Sequence, residues 1–270
     1  MVGHRFCERL GDTDQTGQWA VTVLGEENCM PYDRVHLSSY FDTNGAADLS
    51  LSNWEWYSAR GIQLHLGVRI VGIDRTLQQV MSSDGRTFPY DALVLATGSF
   101  PFVPRMPGTE QKGVFVYRTL DDLSAIKNYS SNCQNAAVIG GGLLGLEAAK
   151  ALQDLGLHTT VVEAADRLMP RQLDMAGAAM LQQSIEGLGV RVMTGQKTIA
   201  VKGTGVAEGL CFDDGTNLAS DMIVISAGIR PRDELAREAG LNLGPRGGIA
   251  IDQGLCTSDP NIYSIGESAA

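Results

Sequence analysis

The stretch "AAVIGGGLLGLEAAKAL", Ala136 to Leu152, decides the fold. A short apolar run gives way to three glycines, and a helix-forming segment follows. A strand turned directly into a helix by glycine leaves the first helical N–H groups unpaired, a ready seat for an anion. Gly140, Gly142 and Gly145 stand at G-x-G-x-x-G spacing. Gly140 permits the tight turn, Gly142 lets the backbone approach a pyrophosphate, and Gly145 lets the helix pack close on its strand. The next apolar strand, "HTTVVE", ends in Glu163, 23 residues beyond Gly140. A carboxylate there accepts hydrogen bonds from an adenosine ribose and repels a 2′-phosphate. NADH is therefore the expected dinucleotide, with Arg167 nearby leaving NADPH open.

Working outward, the chain repeats itself. "SDGRTFPYDALVLATG" (Ser83–Gly98) aligns with "DDGTNLASDMIVISAG" (Asp213–Gly228), each equivalent pair offset by 130 residues. Each copy reads as a D-G hairpin turn, a short strand, then a buried strand ending in a small residue and glycine. The strand before Glu163 has an earlier counterpart, "WAVTVLGE", ending in Glu26, although the adjacent Glu27 could equally face a ligand. A matching glycine loop should lie upstream of it. Only Gly3 remains to fill the last glycine of that loop, and the first would fall before Met1. The spacing thus predicts a chain cut inside its first motif, the polar insert "GDTDQTGQ" absorbing a longer loop-to-acid gap.

Coarse elements follow from the apolar patterning. Strands are expected near 20–24, 68–73, 79–82, 92–96, 190–194, 211–213 and 222–226, and helices from near Gly3 and over 120–129, 143–155 and 175–188. Strands alternating with helices imply an α/β fold with parallel sheets. Late in the chain, "TSDPNIYSIGE" (Thr257–Glu267) is a strand ending in Gly266 and Glu267, able to set a carboxylate on a sugar-alcohol hydroxyl while glycine approaches phosphate.

The composition narrows the function. Of 270 residues 44% are hydrophobic and 19% charged, ordinary for a globular chain, and the net charge of −10 gives no electrostatic attraction to nucleic acid or anionic lipid. No apolar run is long enough for a membrane helix, and the N-terminal "MVGHRFCERL" has no signal-peptide pattern, so the expected compartment is the cytoplasm. Cys7, Cys29, Cys133, Cys211 and Cys256 are scattered without a C-x-x-C pair, so neither a metal site nor a redox dithiol is expected.

Taken together, "ATG" at 96–98, "GGGLLG" at 140–145 and "GE" at 266–267 resemble the signature set of the glutathione-reductase-like pyridine nucleotide–disulfide oxidoreductase superfamily. "PYDRVHLSSYF" (Pro31–Phe41), "VYRTLDDL" (Val116–Leu123), "SAGIRPRDELAREAGL" (Ser226–Leu241) and "PRGGIAIDQGLCTSDPNIYSIGE" (Pro245–Glu267) are similar to the N-terminal region of the NAD(P)H-dependent nitrite reductase large-subunit family. The resemblance implies two Rossmann-like three-layer nucleotide-binding domains, the NAD domain inserted in the FAD domain, truncated at both ends. It implies FAD-binding segments at 1–116 and 233–270 flanking an NAD(P)H-binding domain at 117–232. It puts Gly3, Glu26, Arg34, Thr97, Gly98, Arg118, Gly266 and Glu267 near FAD, and Gly140, Gly142, Gly145, Glu163 and Gly228 near NADH. Glu147 falls where relatives place a carboxylate between nicotinamide and flavin. Ferredoxin- and rubredoxin-reductase relatives carry "P-P-L-S-K" in the early loop; here "V-H-L-S-S" puts Ser39 at the lysine position, so their Lys–Glu pair cannot form. The implied activity is hydride transfer from NADH to FAD. In the family, the electrons then pass to iron–sulfur and sirohaem domains of the same parent chain, where nitrite is reduced to ammonia. A ferredoxin- or rubredoxin-type reductase and an inactive NADH-binding fragment remain the alternatives, and a homodimer is left open.

Overall fold

The computed structural model describes residues 1–14, 17–41 and 49–270; Gln15 and Thr16 of the polar insert lie outside the described residues. The chain divides into two compact units. Unit 1 comprises Met1–Asp33, Leu49–Phe100 and Arg230–Ala270, and unit 2 comprises Arg34–Asp48 and Pro101–Ile229. The chain thus changes unit at 33/34, 48/49, 100/101 and 229/230. Val114–Val116 is an edge strand of the unit 2 sheet.

Unit 1 begins with helix α1 (Val2–Thr13), followed by strand β1 (Thr22–Leu24), a short helix α2 (Trp54–Ala59) and strand β2 (Gln63–His65), which pairs parallel to β1. Asn53 starts α2, its side-chain oxygen accepting the Trp56 N–H. Cys7 of α1 is buried with Tyr57 and Ile62, and Val21, Val23 and Leu64 pack around them. β3 (Ile70–Asp74), β4 (Gln79–Ser82) and β5 (Thr87–Pro89) form an antiparallel meander, and β6 (Leu93–Leu95) follows. The chain leaves through β7 (Ser99–Pro101).

Unit 2 runs β8 (Val114–Val116), α3 (Leu120–Ser130), β9 (Asn135–Ile139), α4 (Leu143–Asp154), β10 (His158–Val162), α5 (Met175–Gly187) and β11 (Arg191–Met193). A second meander, β12 (Thr198–Lys202), β13 (Gly209–Phe212) and β14 (Asn217–Ala219), leads to β15 (Met222–Ile225). The main sheet has the order β11-β10-β9-β15-β8 with every pairing parallel. A parallel sheet covered on both faces needs continuous apolar strands, and Ala136–Ile139 and Met222–Ile225 are buried throughout. Ala137, Ile139, Ile223 and Ile225 pack against Val201, Leu210 and Phe212 of the meander. Strand alternation turns Ala136 and Val138 to the opposite face, and α4 packs on β9 and β10. Thr119 and Asp122 close a capping box at the start of α3, and Asp174 caps α5 through the Gly177 N–H; each such cap is worth about 1 kcal/mol.

The chain returns through β16 (Ile229–Pro231) to unit 1, where α6 (Glu234–Glu238) precedes β17 (Ile262–Ser264). β17 pairs parallel to β6, and Ala236, Leu241, Ile249 and Ile262 pack with Leu95 in one core. Arg75 donates to the Asp259 carboxylate at 2.7 Å, joining the second and last segments of the unit.

The repeat is physical. Both D-G turns place glycine at positive φ, +86° at Gly85 and +83° at Gly215. Ser82 N–H closes on Arg86 O in one turn and Phe212 N–H on Thr216 O in the other. An alanine-like Cβ on Gly3 would stand 3.5 Å from Ala96 Cβ, and one on Gly145 would stand 3.6 Å from Ser226 Cβ. Ala96 and Ser226 are themselves partners in the 130-residue repeat. Gly3 therefore holds the place in unit 1 that Gly145 holds in unit 2. The acidic residues are not so well matched. Glu163 N–H donates to Met193 O beyond the β10–β11 pair, and it is Gly25, not Glu26, that makes the same bond to His65 O beyond β1–β2. Glu26 stands one residue past the place that Glu163 occupies.

Candidate functional site

In the unit 2 sheet, the strand order reverses beside β9. The chain passes from β9 to β10 and β11 on one side, while β15 and β8 lie on the other. At such a switch point the carboxyl ends of the strands open a crevice. Gly140–Gly142 leave β9 there, Glu163 follows β10, Ser226–Gly228 follow β15, and Arg118 stands two residues beyond β8.

The three glycines of the motif differ in what surrounds them. Gly140 has φ +116°, a conformation closed to other residues, and a Cβ on it would lie 2.3 Å from Ser226 O. A Cβ on Gly145 would lie 2.0 Å from Gly140 O, so the helix can approach its strand only without a side chain. Gly142, the N-cap of α4, is different: φ is −83°, no side chain caps the helix there, and nothing lies within 4 Å of where its Cβ would be. Its open side is the approach to the first turn of α4, whose N–H groups and dipole favour an anion.

Glu163 is fixed before any ligand arrives. Its Oε2 accepts the Gly141 N–H at 2.7 Å and its Oε1 the Ala165 N–H at 2.8 Å. A carboxylate offers about four lone-pair positions, so acceptor capacity remains for ribose hydroxyls. Gly228, at φ +108°, has open space where a Cβ would be.

Glu147 sits in the second turn of α4. Among the described residues its Oε2 is buried without a hydrogen-bond partner. Burial pushes its carboxyl above the usual carboxylate range, with the charge of His36 acting in the opposite direction. The 3-10 turn Leu37–Phe41, which contains Ser39, packs against α4 within the same unit. An orphaned buried acid at this place suits a ligand that brings its own polar group.

The residues assigned to flavin fall in both units. Gly3, Glu26, Thr97, Gly98, Gly266 and Glu267 belong to unit 1, and Arg34 and Arg118 to unit 2. In unit 1, a Cβ on Gly266, at φ +76°, would lie 3.1 Å from Val2 Cγ2, so the late Gly-Glu motif meets the start of α1. Glu267 Oε2 accepts from Ser99 Oγ at 2.8 Å. Thr97 Oγ1 donates to Arg232 O, and Arg232 N–H donates to Gly98 O, fastening the strand exit from both sides. Glu26 is held by Arg232 at 2.5 Å and faces Arg69 at 3.7 Å, whereas Glu27 accepts from Tyr32 Oη. Of the two acids, Glu26 is thus the one drawn toward the Gly98 exit. Ser99, Arg69 and Arg232 were not visible as site residues in the sequence; Arg232 meets Glu26 across 206 residues, beyond any local spacing rule.

A cleft of about 720 Å³, lined in part by Lys112, Tyr129, Asn132, Cys133 and Asp221, opens at the amino-terminal edge of the unit 2 sheet. It lies at the wrong end of the strands for the glycine loop. Among the described residues no three His, Cys, Asp or Glu side chains converge to hold a metal, and no helix is long and apolar enough to cross a membrane.

This geometry agrees with comparison to known proteins. The sequence profile of the pyridine nucleotide-disulphide oxidoreductase family matches residues 3–270. The chain belongs to that family. It is 47% identical over its whole length to the nitrite reductase (NADH) large subunit of Escherichia coli K12, covering 32% of that protein. It is 32% identical to the rubredoxin-NAD(+) reductase of Ectopseudomonas oleovorans, the match covering 92% of this chain and 65% of that one. Among solved structures, an NAD-dependent persulfide reductase from A. fulgidus superposes with a TM-score of 0.93 at 27% identity, covering 99% of this chain and 51% of that one. The chain spans about a third of the length of its nitrite reductase relative.

Proposed function

We propose that the chain is a flavoprotein oxidoreductase module that takes hydride from NADH to FAD. The observation that carries the reading is the crevice of unit 2. There the helix N-terminus behind Gly142, open to an approaching phosphate, stands beside the anchored carboxylate of Glu163. When bound, the flavin accepts a hydride from reduced nicotinamide and releases electrons one at a time, chemistry that the cofactors supply. The chain's own residues bind and orient. The first N–H groups of α4 hold the pyrophosphate, Glu163 accepts from the adenosine ribose, and Gly228 leaves room at the strand exit. Glu147 is the candidate catalytic residue. Its buried, unpartnered Oε2 offers a polar contact to the reacting dinucleotide, and burial raises the pKa of its carboxyl. In unit 1, Gly266 and the start of α1 supply backbone to the flavin phosphates, and Glu26 and Glu267 supply carboxylates to sugar hydroxyls. Gly3, Thr97 and Gly98 shape that cradle.

In the parent protein, the electrons would pass to iron–sulfur and sirohaem centres and so to nitrite, in the cytoplasm. The 47% identical nitrite reductase subunit supports this reading. Ser39, standing where rubredoxin-reductase relatives carry lysine, favours it over a ferredoxin- or rubredoxin-type reductase. The test is anaerobic titration of the purified chain, supplied with FAD, against NADH. Weak FAD retention is expected of this chain, with bleaching of the visible flavin band by NADH where FAD is bound; uptake of neither cofactor would sink the reading.

A further inference from the structure

Arg167 is the cation nearest in sequence to Glu163, and from sequence it leaves NADPH open, because a guanidinium there could pair with a 2′-phosphate. The structure gives it other work. Nη1 donates to Asp166 Oδ1 at 2.9 Å, Nη2 to Pro170 O at 3.2 Å, and Nε to Leu173 O at 3.3 Å. All three edges of the guanidinium are thereby engaged within the segment 166–173, which it folds into a closed loop. That loop in turn holds the dinucleotide motif. Met169 N–H donates to Gly141 O at 3.0 Å, and Leu168, fully buried, reaches to 2.6 Å from where a Gly141 Cβ would stand. Ala165 N–H and Gly141 N–H then fix the two oxygens of Glu163. Met169 adopts φ +46°, unusual for a side-chain-bearing residue, so the loop is held in a shape it would not adopt unaided.

We propose that Arg167 is a clasp for the loop that positions Glu163 and Gly141, and not a reader of the 2′-phosphate, so that the site takes NADH and rejects NADPH through the Glu163 carboxylate. This rests on the dinucleotide reading of the unit 2 crevice. Arg167 is a positioning residue: it acts through the loop on the acid and the glycine turn. Arg171, the other arginine of the segment, is exposed, and the proposal gives it no part in selection.

The test is calorimetric binding of NADH and NADPH to the 270-residue chain and to variants, with thermal unfolding run in parallel. Wild type should prefer NADH by roughly tenfold or more, and E163Q should lose most of that preference, since hydrogen bonds to a charged acceptor carry this much discrimination. R167Q and R167K should weaken NADH about three- to tenfold and narrow its preference over NADPH, because neither side chain can reproduce the fork that joins three acceptors and the loosened loop no longer fixes Glu163. In the E163Q background, R167Q should cost much less than in wild type, because a clasp acting through Glu163 has little left to position. Losses that are fully additive would make Arg167 a general stabiliser and overturn the proposal. A loss confined to NADPH in R167Q and restored in R167K, or a loss confined to NADPH in R171A, would show a 2′-phosphate reader and also overturn it. If wild type bound neither dinucleotide, the reading of the crevice would fail and the clasp with it.

Discussion

Helices α1 and α4 are both twelve residues long, and each sets an early glycine against a strand end, Gly3 on Ala96 and Gly145 on Ser226. They are two copies of one device. Yet the constraint on them differs. At Gly145, Gly140 O would lie 2.0 Å from a Cβ. Around Gly3 the nearest atom is a side-chain methyl at an ordinary 3.5 Å. The position is therefore tightly confined in unit 2, where the steric demand comes from the Gly140 turn and not from the helix or sheet.

The sharpest way to break this comparison is a pair of alanine substitutions. G145A should destabilise the chain by about 1–3 kcal/mol or more, because rigid backbone must move to admit the methyl. It should also abolish NADH binding. G3A should be neutral or stabilising by up to about 1 kcal/mol, the helix-propensity gain of alanine over glycine. Urea unfolding of both variants reads the contrast, and equal losses would show that the first helix is as tightly held as the second.

A smaller difference is expected at the two strand exits. Neither Gly98, at φ +68°, nor Gly228, at φ +108°, has neighbours where a Cβ would stand, so only backbone strain is at issue. The first angle lies at the edge of the left-handed region, where alanine costs about 1–2 kcal/mol, and the second lies outside it. G228A should therefore lower the urea midpoint more than G98A.

Glu147 has no acidic counterpart in the first unit's matching helix, where Arg5 follows Gly3 at the same interval. Its carboxyl is raised above the ordinary 4.5 by burial. The folded state thus binds its proton more tightly than the unfolded state does. The stabilisation this gives is complete below the unfolded value and fades as pH rises through the folded one. E147Q should be more stable relative to wild type at pH 7 than at pH 4, a difference that unfolding midpoints at the two values will show.

The least difference should appear at the hairpins. Asp84 accepts from Ser82 and Arg86, Asp214 from Thr216, and both carboxyls are held below the usual range. Each favours folding above the ordinary carboxylate value of 3.8 and loses that contribution as pH falls through its folded value. D84N and D214N should each flatten the acid limb of the stability curve slightly, Asp84 more because its arginine partner strengthens the hold. Unfolding midpoints measured in acid rank the two.

Much of this architecture was legible in the sequence because it rests on local rules. The three unit 2 helices end within about one residue of where apolar period and glycine placed them, as local rules allow at best. The D-G turns announced the meanders, and the 130-residue offset announced the second unit. Other parts were hidden, α2 and β2 among them. β12 carries "TIAVK", too short and too mixed to stand out from a loop until β13 pairs with it. β8 joins a sheet only through β15, more than a hundred residues later. The partners of Glu26, Thr97 and Glu267 come from remote segments for the same reason. Counting residues also put Glu26 in register with Glu163, whereas hydrogen bonding puts Gly25 there.

Gly142 has a consequence of its own. Gly140 and Gly145 are dictated by atoms of the protein, so any replacement is felt during folding. At Gly142 the backbone angle suits every residue and the surrounding space is clear. Under the proposed function, its identity is set by the guest and not by the host. A methyl there would pass unnoticed through synthesis and folding and be discovered only when a dinucleotide arrived. That makes the position a natural place for a well-folded chain deaf to its cofactor, and a place where drift would leave an intact protein with its first function erased.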